Sequence, residues 1–134
     1  MKIAVSASGD SLDSNVDPRF GRCAYFIIVE IEEQEIKGHE VVNNEAVQAM
    51  RGAGVQAAQT VANKGAKVVL TGNIGPNAYN ILSQTGIKII TGVTGKVKEA
   101  VEKYLKGELK ETKQPTVSFG PGRGRELGGG RWNR

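Results

Sequence analysis

The second half of the chain alternates short β-branched segments with segments of helical apolar spacing, and this alternation most limits the possible fold. The β-branched segments, residues 67–71 and 87–91, are typical of strands buried inside a sheet. Each helical segment ends at a glycine, which easily adopts the left-handed conformation of a helix end. The three predicted helices run from residue 54 to Gly65, from Gly75 to Gly86, and from Thr94 or Gly95 to Gly107. Strands joined through such helices pair in parallel.

The first part of the chain predicts three strands in succession. Residues 2–7 alternate as a strand, and residues 25–31 are apolar enough to lie inside a sheet. Only residues 32–35 separate this second strand from a third at 36–42, so these two strands must form an antiparallel hairpin. The predicted order is βββαβαβα, an α/β fold with a five-stranded mixed sheet and helices on its faces.

Composition restricts the class of protein. A chain of 134 residues with 39% hydrophobic residues suits a single domain with its own core. No segment approaches the roughly 18 apolar residues needed to cross a bilayer, so we expect a cytoplasmic protein without a membrane partner. The single cysteine, Cys23, excludes an internal disulfide and a four-cysteine metal cage.

The net charge of +4 is confined to the C-terminal segment. Residues 1–111 hold 13 basic and 13 acidic residues, whereas residues 112–134 hold five basic residues and one glutamate. We therefore predict a domain over 1–111 and a flexible Gly/Arg-rich tail over 112–134. Such a tail can bind nucleic-acid phosphates without sequence preference, although a solubilising role is favoured because it holds only four arginines.

A long polar loop at residues 8–23 is the first candidate site, because loops of this length inside compact domains are usually functional. In open sheets, ligands bind beyond the carboxyl ends of the parallel strands. The loops at 72–77 and 92–95 should converge with the first loop at that end of the sheet. The segment 43–54 joins them only if the direction of the hairpin strand allows it.

Four blocks of the sequence together resemble the dinitrogenase iron–molybdenum cofactor biosynthesis family, which includes NifX-like and NifB C-terminal-like domains. The blocks are Val-Asp-Pro-Arg-Phe-Gly-Arg at 16–22 with Tyr-Phe at 25–26, Arg-Gly-Ala-Gly-Val-Gln-Ala-Ala at 51–58, Thr-Gly-Asn-Ile-Gly-Pro-Asn-Ala at 71–78, and Gly-Ile-Lys at 86–88 with Gly-Glu-Leu at 107–109. The resemblance covers about residues 1–111. It implies a three-layer α/β/α sandwich with a ribonuclease-H-like motif.

The resemblance also implies a function. Better-known members of this family bind the iron–molybdenum cofactor or its iron–sulfur precursor and pass it between cluster-assembly proteins, and they are carriers rather than catalysts. The expected cargo is therefore an iron–sulfur or iron–molybdenum cluster. Some relatives end in glycine-rich tails with Cys or His, whereas the tail of this chain contains neither residue.

A bulky anionic cluster needs a soft ligand, positive groups and backbone N–H donors. The candidate metal ligands are Cys23 and His39. Candidate cofactor-binding residues supply charge or turns that present N–H groups, and they are Arg19, Arg22, Arg51, Gly52, Gly54, Asn73, Gly75 and Asn77.

Several of these residues also have purely structural interpretations. A cysteine just before a strand is more often a small buried apolar residue, and this interpretation is favoured for Cys23. His39 has the alternative of being a plain surface histidine on the hairpin strand. Arg22 and Asp17 can equally form a salt bridge that keeps the long loop folded.

No catalytic constellation is present in the sequence, and we predict a protein that is not an enzyme. Asp10, Asp13 and Asp17 lie on a loop, whereas a two-metal nuclease needs carboxylates on strands. The glycines before the first helix lack the Lys-Ser/Thr of a P-loop. The leading hypothesis is a cluster carrier; the alternative is an interaction module without metal cargo, whose tail binds anionic partners.

Overall fold

The computed structural model describes residues 1–48 and 52–116. A short 3₁₀ turn at Glu45–Gln48 is the one described helical element that the sequence did not predict. The strands and α-helices of the described residues are β1 (Lys2–Ala7), β2 (Tyr25–Glu32), β3 (Glu35–Asn43), α1 (Ala53–Asn63), β4 (Ala66–Leu70), α2 (Pro76–Gln84), β5 (Lys88–Ile90) and α3 (Val97–Leu105).

The predicted five-stranded mixed sheet is confirmed, with the strand order β3-β2-β1-β4-β5. The pairs β1–β2 and β2–β3 are antiparallel, whereas β1–β4 and β4–β5 are parallel. Ala7 pairs with Tyr25, which pairs with Asn43, so β3 ends where β1, β4 and β5 end. The segment after β3 therefore joins the other loops. We call this end of the sheet, with loops 8–24, 44–48, 71–75 and 91–96 and the start of α1, the loop end.

Helices cover both faces of the sheet. Val61 of α1 and Leu82 of α2 belong to one apolar cluster, whereas Val101 of α3 belongs to a second cluster with the other faces of the same strands. β1 alternates between the two, with Ala4 in the first cluster and Val5 in the second. Because central strands are buried on both faces, they need the continuous apolar runs that the sequence shows.

The left-handed glycines are also confirmed. Gly65, Gly86 and Gly107 follow the three helices with φ of 82°, 82° and 77°. The hairpin turn between β2 and β3 consists of two residues, Glu33 and Gln34, both with positive φ, as tight hairpins require. Helix α3 begins at Val97, two or three residues later than predicted.

Residues 112–116, predicted as tail, are bonded to the domain. The Thr112 N–H donates to Ile89 O at 2.7 Å, and the Thr116 N–H donates to Ile74 O at 3.0 Å. Residues 117–134 lie outside the described residues, and so do the tail arginines of the alternative nucleic-acid interpretation. Within residues 1–48 and 52–116, no helix has the length and apolar character required to span a membrane.

Candidate functional site

Loop 8–24 is fastened to β1 and β4 by buried hydroxyl groups. The Asp17 N–H donates to Ser6 O at 2.9 Å, and the Ser6 hydroxyl lies 2.7 Å from Asp17 O and 2.8 Å from Thr71 Oγ1. A carbonyl only accepts, so Ser6 donates its one proton to Asp17 O and Thr71 donates to Ser6. Both hydroxyl residues are fully buried. This arrangement holds the loop in a fixed position above the sheet.

The same loop crosses the β4–α2 loop in close backbone contact. The Asn73 N–H donates to Pro18 O at 2.7 Å, and the Phe20 N–H donates to Asn73 O at 3.2 Å. Gly72 lies where the two loops cross, and a Cβ there would be 2.5 Å from Pro18 Cα. The crossing brings together two predicted site residues, Arg19 and Asn73, which form an isolated bridge and are both exposed.

Asp17 forms an ion pair with Arg19, the exposed cation of this loop. Asp17 is 5% exposed, and its carboxylate accepts the Arg19 N–H at 2.9 Å. Arg19 Nε lies 3.3 Å from the same oxygen, while the Arg19 side chain is 66% exposed. The hydrogen bond from Arg19 to Asp17, and then their opposite charges, raise the pKa of Arg19. The structure thus shows an ion pair between Asp17 and Arg19 that was not predicted from the sequence. Arg22 is half-buried, and its predicted salt bridge with Asp17 stays a prediction.

Cys23 is completely buried, as its structural interpretation predicted. Its thiol donates to Phe20 O at 3.4 Å, and Asn44 Nδ2 lies 3.7 Å from the sulfur. Burial, and then the nearby Asp17 carboxylate, raise the pKa of this thiol to about 12. At neutral pH the sulfur is therefore a protonated thiol without access to solvent, and metal ligation by Cys23 requires the loop to rearrange.

We expect the Cys23 thiol to react slowly in the folded protein and to make stability fall at alkaline pH. Its pKa rises from an ordinary value of 9.0 to about 12 on folding, so between these values the unfolded state releases a proton that the folded state keeps. The contribution of the protonated Cys23 thiol to the free energy of unfolding is fully present below pH 9 and is lost as the pH rises toward 12. Thiol labelling at pH 7.5, with and without urea, and urea unfolding at pH 8–11 measure both effects.

Cys23→Ala is the matched control for this prediction, since it lacks the titrating group. Above pH 9, the free energy of unfolding of the wild type should fall relative to that of Cys23→Ala. Labelling of the folded protein at the rate of a free thiol would contradict the prediction.

Asn44 is a structural residue of the site that sequence reasoning missed. It is 2% exposed, and its Nδ2 donates to Cys23 O at 2.9 Å and to Gly21 O at 3.1 Å. Its Oδ1 accepts the Ala46 N–H at 3.2 Å, which is an Asx turn. An asparagine directly after a strand is the signal that could have indicated this turn.

Two helices begin side by side at the loop end. A Cβ at Gly54 of α1 would lie 3.3 Å from Ala78 Cβ of α2, so the first turns are in contact. Their N-cap residues, Gly52 and Gly75, provide no side-chain cap, and neither first turn contains an acidic residue. Asn77 is exposed in the first turn of α2. The unpaired amides of a first helical turn attract anions.

One predicted site residue of the described part of the chain lies away from this group. His39 lies on β3 opposite Val29 and is exposed, four residues before the strand reaches the loop end. At about 3.3 Å per residue it is roughly 13 Å from that end. Arg51 lies outside the described residues.

Most of the chain matches the model of one protein family. The family model described as dinitrogenase iron-molybdenum cofactor matches residues 1–107, which include every described loop of the loop end. The chain belongs to this dinitrogenase iron-molybdenum cofactor family. The resemblance found in the four sequence blocks is therefore confirmed.

Solved structures support the family assignment and the fold. The apo form of the orange protein from Desulfovibrio gigas is 40% identical, with a TM-score of 0.82 over 87% of this chain and 96% of that one. The NMR structure of a NifB candidate from Thermotoga is 32% identical, with a TM-score of 0.72 over 87% of this chain and 98% of that one. An uncharacterized protein of Methanocaldococcus jannaschii is 39% identical over 111 residues, which are 83% of this chain and 91% of the relative.

Proposed function

We propose that this chain is a non-enzymatic, cytoplasmic carrier of an anionic iron–sulfur or iron–molybdenum type cluster. The cluster would be bound at the loop end and exchanged with cluster-assembly proteins. Membership of a cofactor-associated family supports this proposal. The three-layer sandwich with a ribonuclease-H-like motif, implied by the same resemblance, stays a prediction.

The observation that carries the proposal is the pair of helix N-termini without side-chain caps. Helix α3 also begins at the loop end, but its first amides are used by loop 8–24: the Val97 N–H donates to Ser14 O, and the Lys98 N–H donates to Leu12 O. Helices α1 and α2 have glycine N-caps instead. The first-turn N–H groups of α1 and α2 have no side-chain cap, and we propose those that follow Pro76, which itself has no N–H, together with those of α1, as donors to an anionic cluster.

The surrounding side chains fit an anionic cargo held without covalent bonds. Arg19 supplies an exposed positive charge, Asn73 forms a backbone bridge with it, and Asn77 is exposed in the first turn of α2. The buried thiol of Cys23 supplies no accessible sulfur. A carrier has to release its cargo, and hydrogen bonds and charge alone allow faster release than a thiolate–metal bond.

The scarcity of clustered metal-ligating side chains in the described part of the chain also favours a preassembled cargo. Among residues 1–48 and 52–116, no group of three or more His, Cys, Asp or Glu residues could hold a metal ion. We therefore infer that the cluster arrives assembled rather than being built on the protein from free ions. The structure of the orange protein is described as an apo form, which supports a binding role in that relative.

Asn77→Asp is expected to weaken cluster binding about tenfold while leaving the fold intact. The substitution adds one negative charge at the first turn of α2, which repels an anionic cargo but interacts favourably with the helix N-terminus. The measurement is an anoxic titration of the protein with isolated iron–molybdenum cofactor, followed by visible absorption and metal analysis.

Asn80→Asp is the matched control, because Asn80 is also exposed on α2 but lies one turn further from the loop end. It adds the same charge and should retain affinity close to that of the wild type. Equal affinity of all three proteins would place the cargo elsewhere. A wild-type protein that stays colourless and metal-free would contradict the carrier proposal itself.

A further inference from the structure

Residues 112–116, which we call the strap, connect the C-terminal segment to the candidate site. After α3 the chain packs Leu109 against the apolar cluster on the α3 face of the sheet. It then reaches Tyr79 of α2 on the opposite face, whose hydroxyl donates to Thr112 O at 3.4 Å. The strap therefore passes around the outer edge of β5.

Two threonines of the strap bond the backbone of the domain. The Thr112 N–H donates to Ile89 O at 2.7 Å, and its hydroxyl accepts the Thr91 N–H at 2.9 Å. Thr116 bonds both backbone groups of one residue. Its hydroxyl accepts the Ile74 N–H at 2.9 Å and donates to Ile74 O at 3.3 Å, and its own N–H donates to Ile74 O at 3.0 Å. The bonds of Thr112 cover part of the free edge of β5, which would otherwise present unpaired backbone groups.

Ile74 lies between two proposed cargo contacts. The preceding residue, Asn73, is held by loop 8–24 through Pro18 O, and the following residue, Gly75, is the N-cap of α2. The β4–α2 loop is thus held from one side by loop 8–24 and from the other side by Thr116. Ile74 itself is 1% exposed and anchors the loop in the core.

We propose that Thr116 is a positioning residue of the binding site, which sets the shape of the Asn73–Asn77 loop through the backbone of Ile74. It makes no contact with the cargo, and its effect passes through the Ile74 N–H and C=O groups. The expected effect of Thr116 on cargo binding rests on the proposed carrier function. Its structural part, the ordering of the loop, is independent of any cargo.

Thr116→Val in the full chain tests the proposal, because valine keeps the shape and the backbone N–H but lacks the hydroxyl. In the cargo-free protein we expect hydrogen exchange of the Ile74 amide to rise about tenfold, the effect of one lost hydrogen bond. The dissociation constant for isolated iron–molybdenum cofactor should rise about three- to tenfold. Thr116→Ser keeps a hydroxyl and should restore both quantities.

Thr85→Val is the matched control, since it removes a hydroxyl that bonds Ile81 O at the far end of α2. It should leave exchange of Ile74 and cofactor affinity unchanged. Unchanged Ile74 exchange in Thr116→Val, or faster exchange without weaker binding, would overturn the proposal. If the wild type binds no cofactor, the carrier function fails, whereas the exchange rates still decide whether Thr116 orders the loop.

Discussion

Gly72→Ala is expected to lower the free energy of unfolding by about 3 kcal/mol or more, or to prevent folding. The added Cβ would lie 2.5 Å from Pro18 Cα and 2.9 Å from both Pro18 O and Pro18 Cβ. Two of these three atoms belong to the backbone, so a rotamer change cannot relieve the overlap. Loop 8–24 would have to leave the β4–α2 loop and lose the Asn73–Pro18 hydrogen bond. Urea unfolding monitored by circular dichroism measures the change.

Gly38→Ala is the control for this prediction. Gly38 lies in β3, has no atom within 4 Å of an added Cβ, and has no positive φ. Glycine inside a strand is entropically unfavourable, so this substitution should be neutral or stabilise by up to about 1 kcal/mol. If Gly72→Ala were as stable as Gly38→Ala, the backbone crossing would not exist in solution.

Asn44→Asp is expected to destabilise the protein by about 3 kcal/mol at neutral pH, since it buries a charge without a partner. The amide nitrogen of Asn44 donates to two carbonyl oxygens, those of Gly21 and Cys23. A carboxylate oxygen in that position would face both acceptors and the Cys23 sulfur. The loss should shrink as the pH is lowered, because a protonated carboxyl can donate one of these bonds. Urea unfolding at pH 7 and pH 5 measures the destabilisation and its decrease at the lower pH.

Asn43→Asp makes the same chemical change one residue earlier, at the exposed end of β3. Its effect should stay within about 0.5 kcal/mol, as for most surface substitutions. Equal stability of the two variants would show that the Asn44 side chain does not hold the loop.

Much of the fold could be predicted because its determinants are local. A two-residue turn forces an antiparallel hairpin, as found between β2 and β3. A glycine after a helical run ends the helix through its own φ angle, as at Gly65 and Gly86. The strap was missed because Thr112 and Thr116 carry no apolar periodicity, and their bonds are to Ile89 and Ile74, more than 20 residues away.

The candidate site was predicted less completely than the fold. The sequence indicated which loops converge at one end of the sheet, since parallel strands bring their carboxyl ends together. It did not indicate the ion pair between Asp17 and Arg19, because these residues lie in an irregular loop and only the path of that loop brings their charged groups together. The structural interpretation of Cys23 was favoured but could not be separated from the ligand interpretation without its exposure.

The sequence by itself determined the order of the elements, the antiparallel hairpin, the helix ends and the family, because these depend on residues close together in the chain or on matched blocks. The tertiary structure alone decided that Cys23 is buried, that the segment after β3 joins the loop end, and that α1 and α2 begin side by side. These features depend on contacts such as that of Gly72 with Pro18, which form only when distant segments pack.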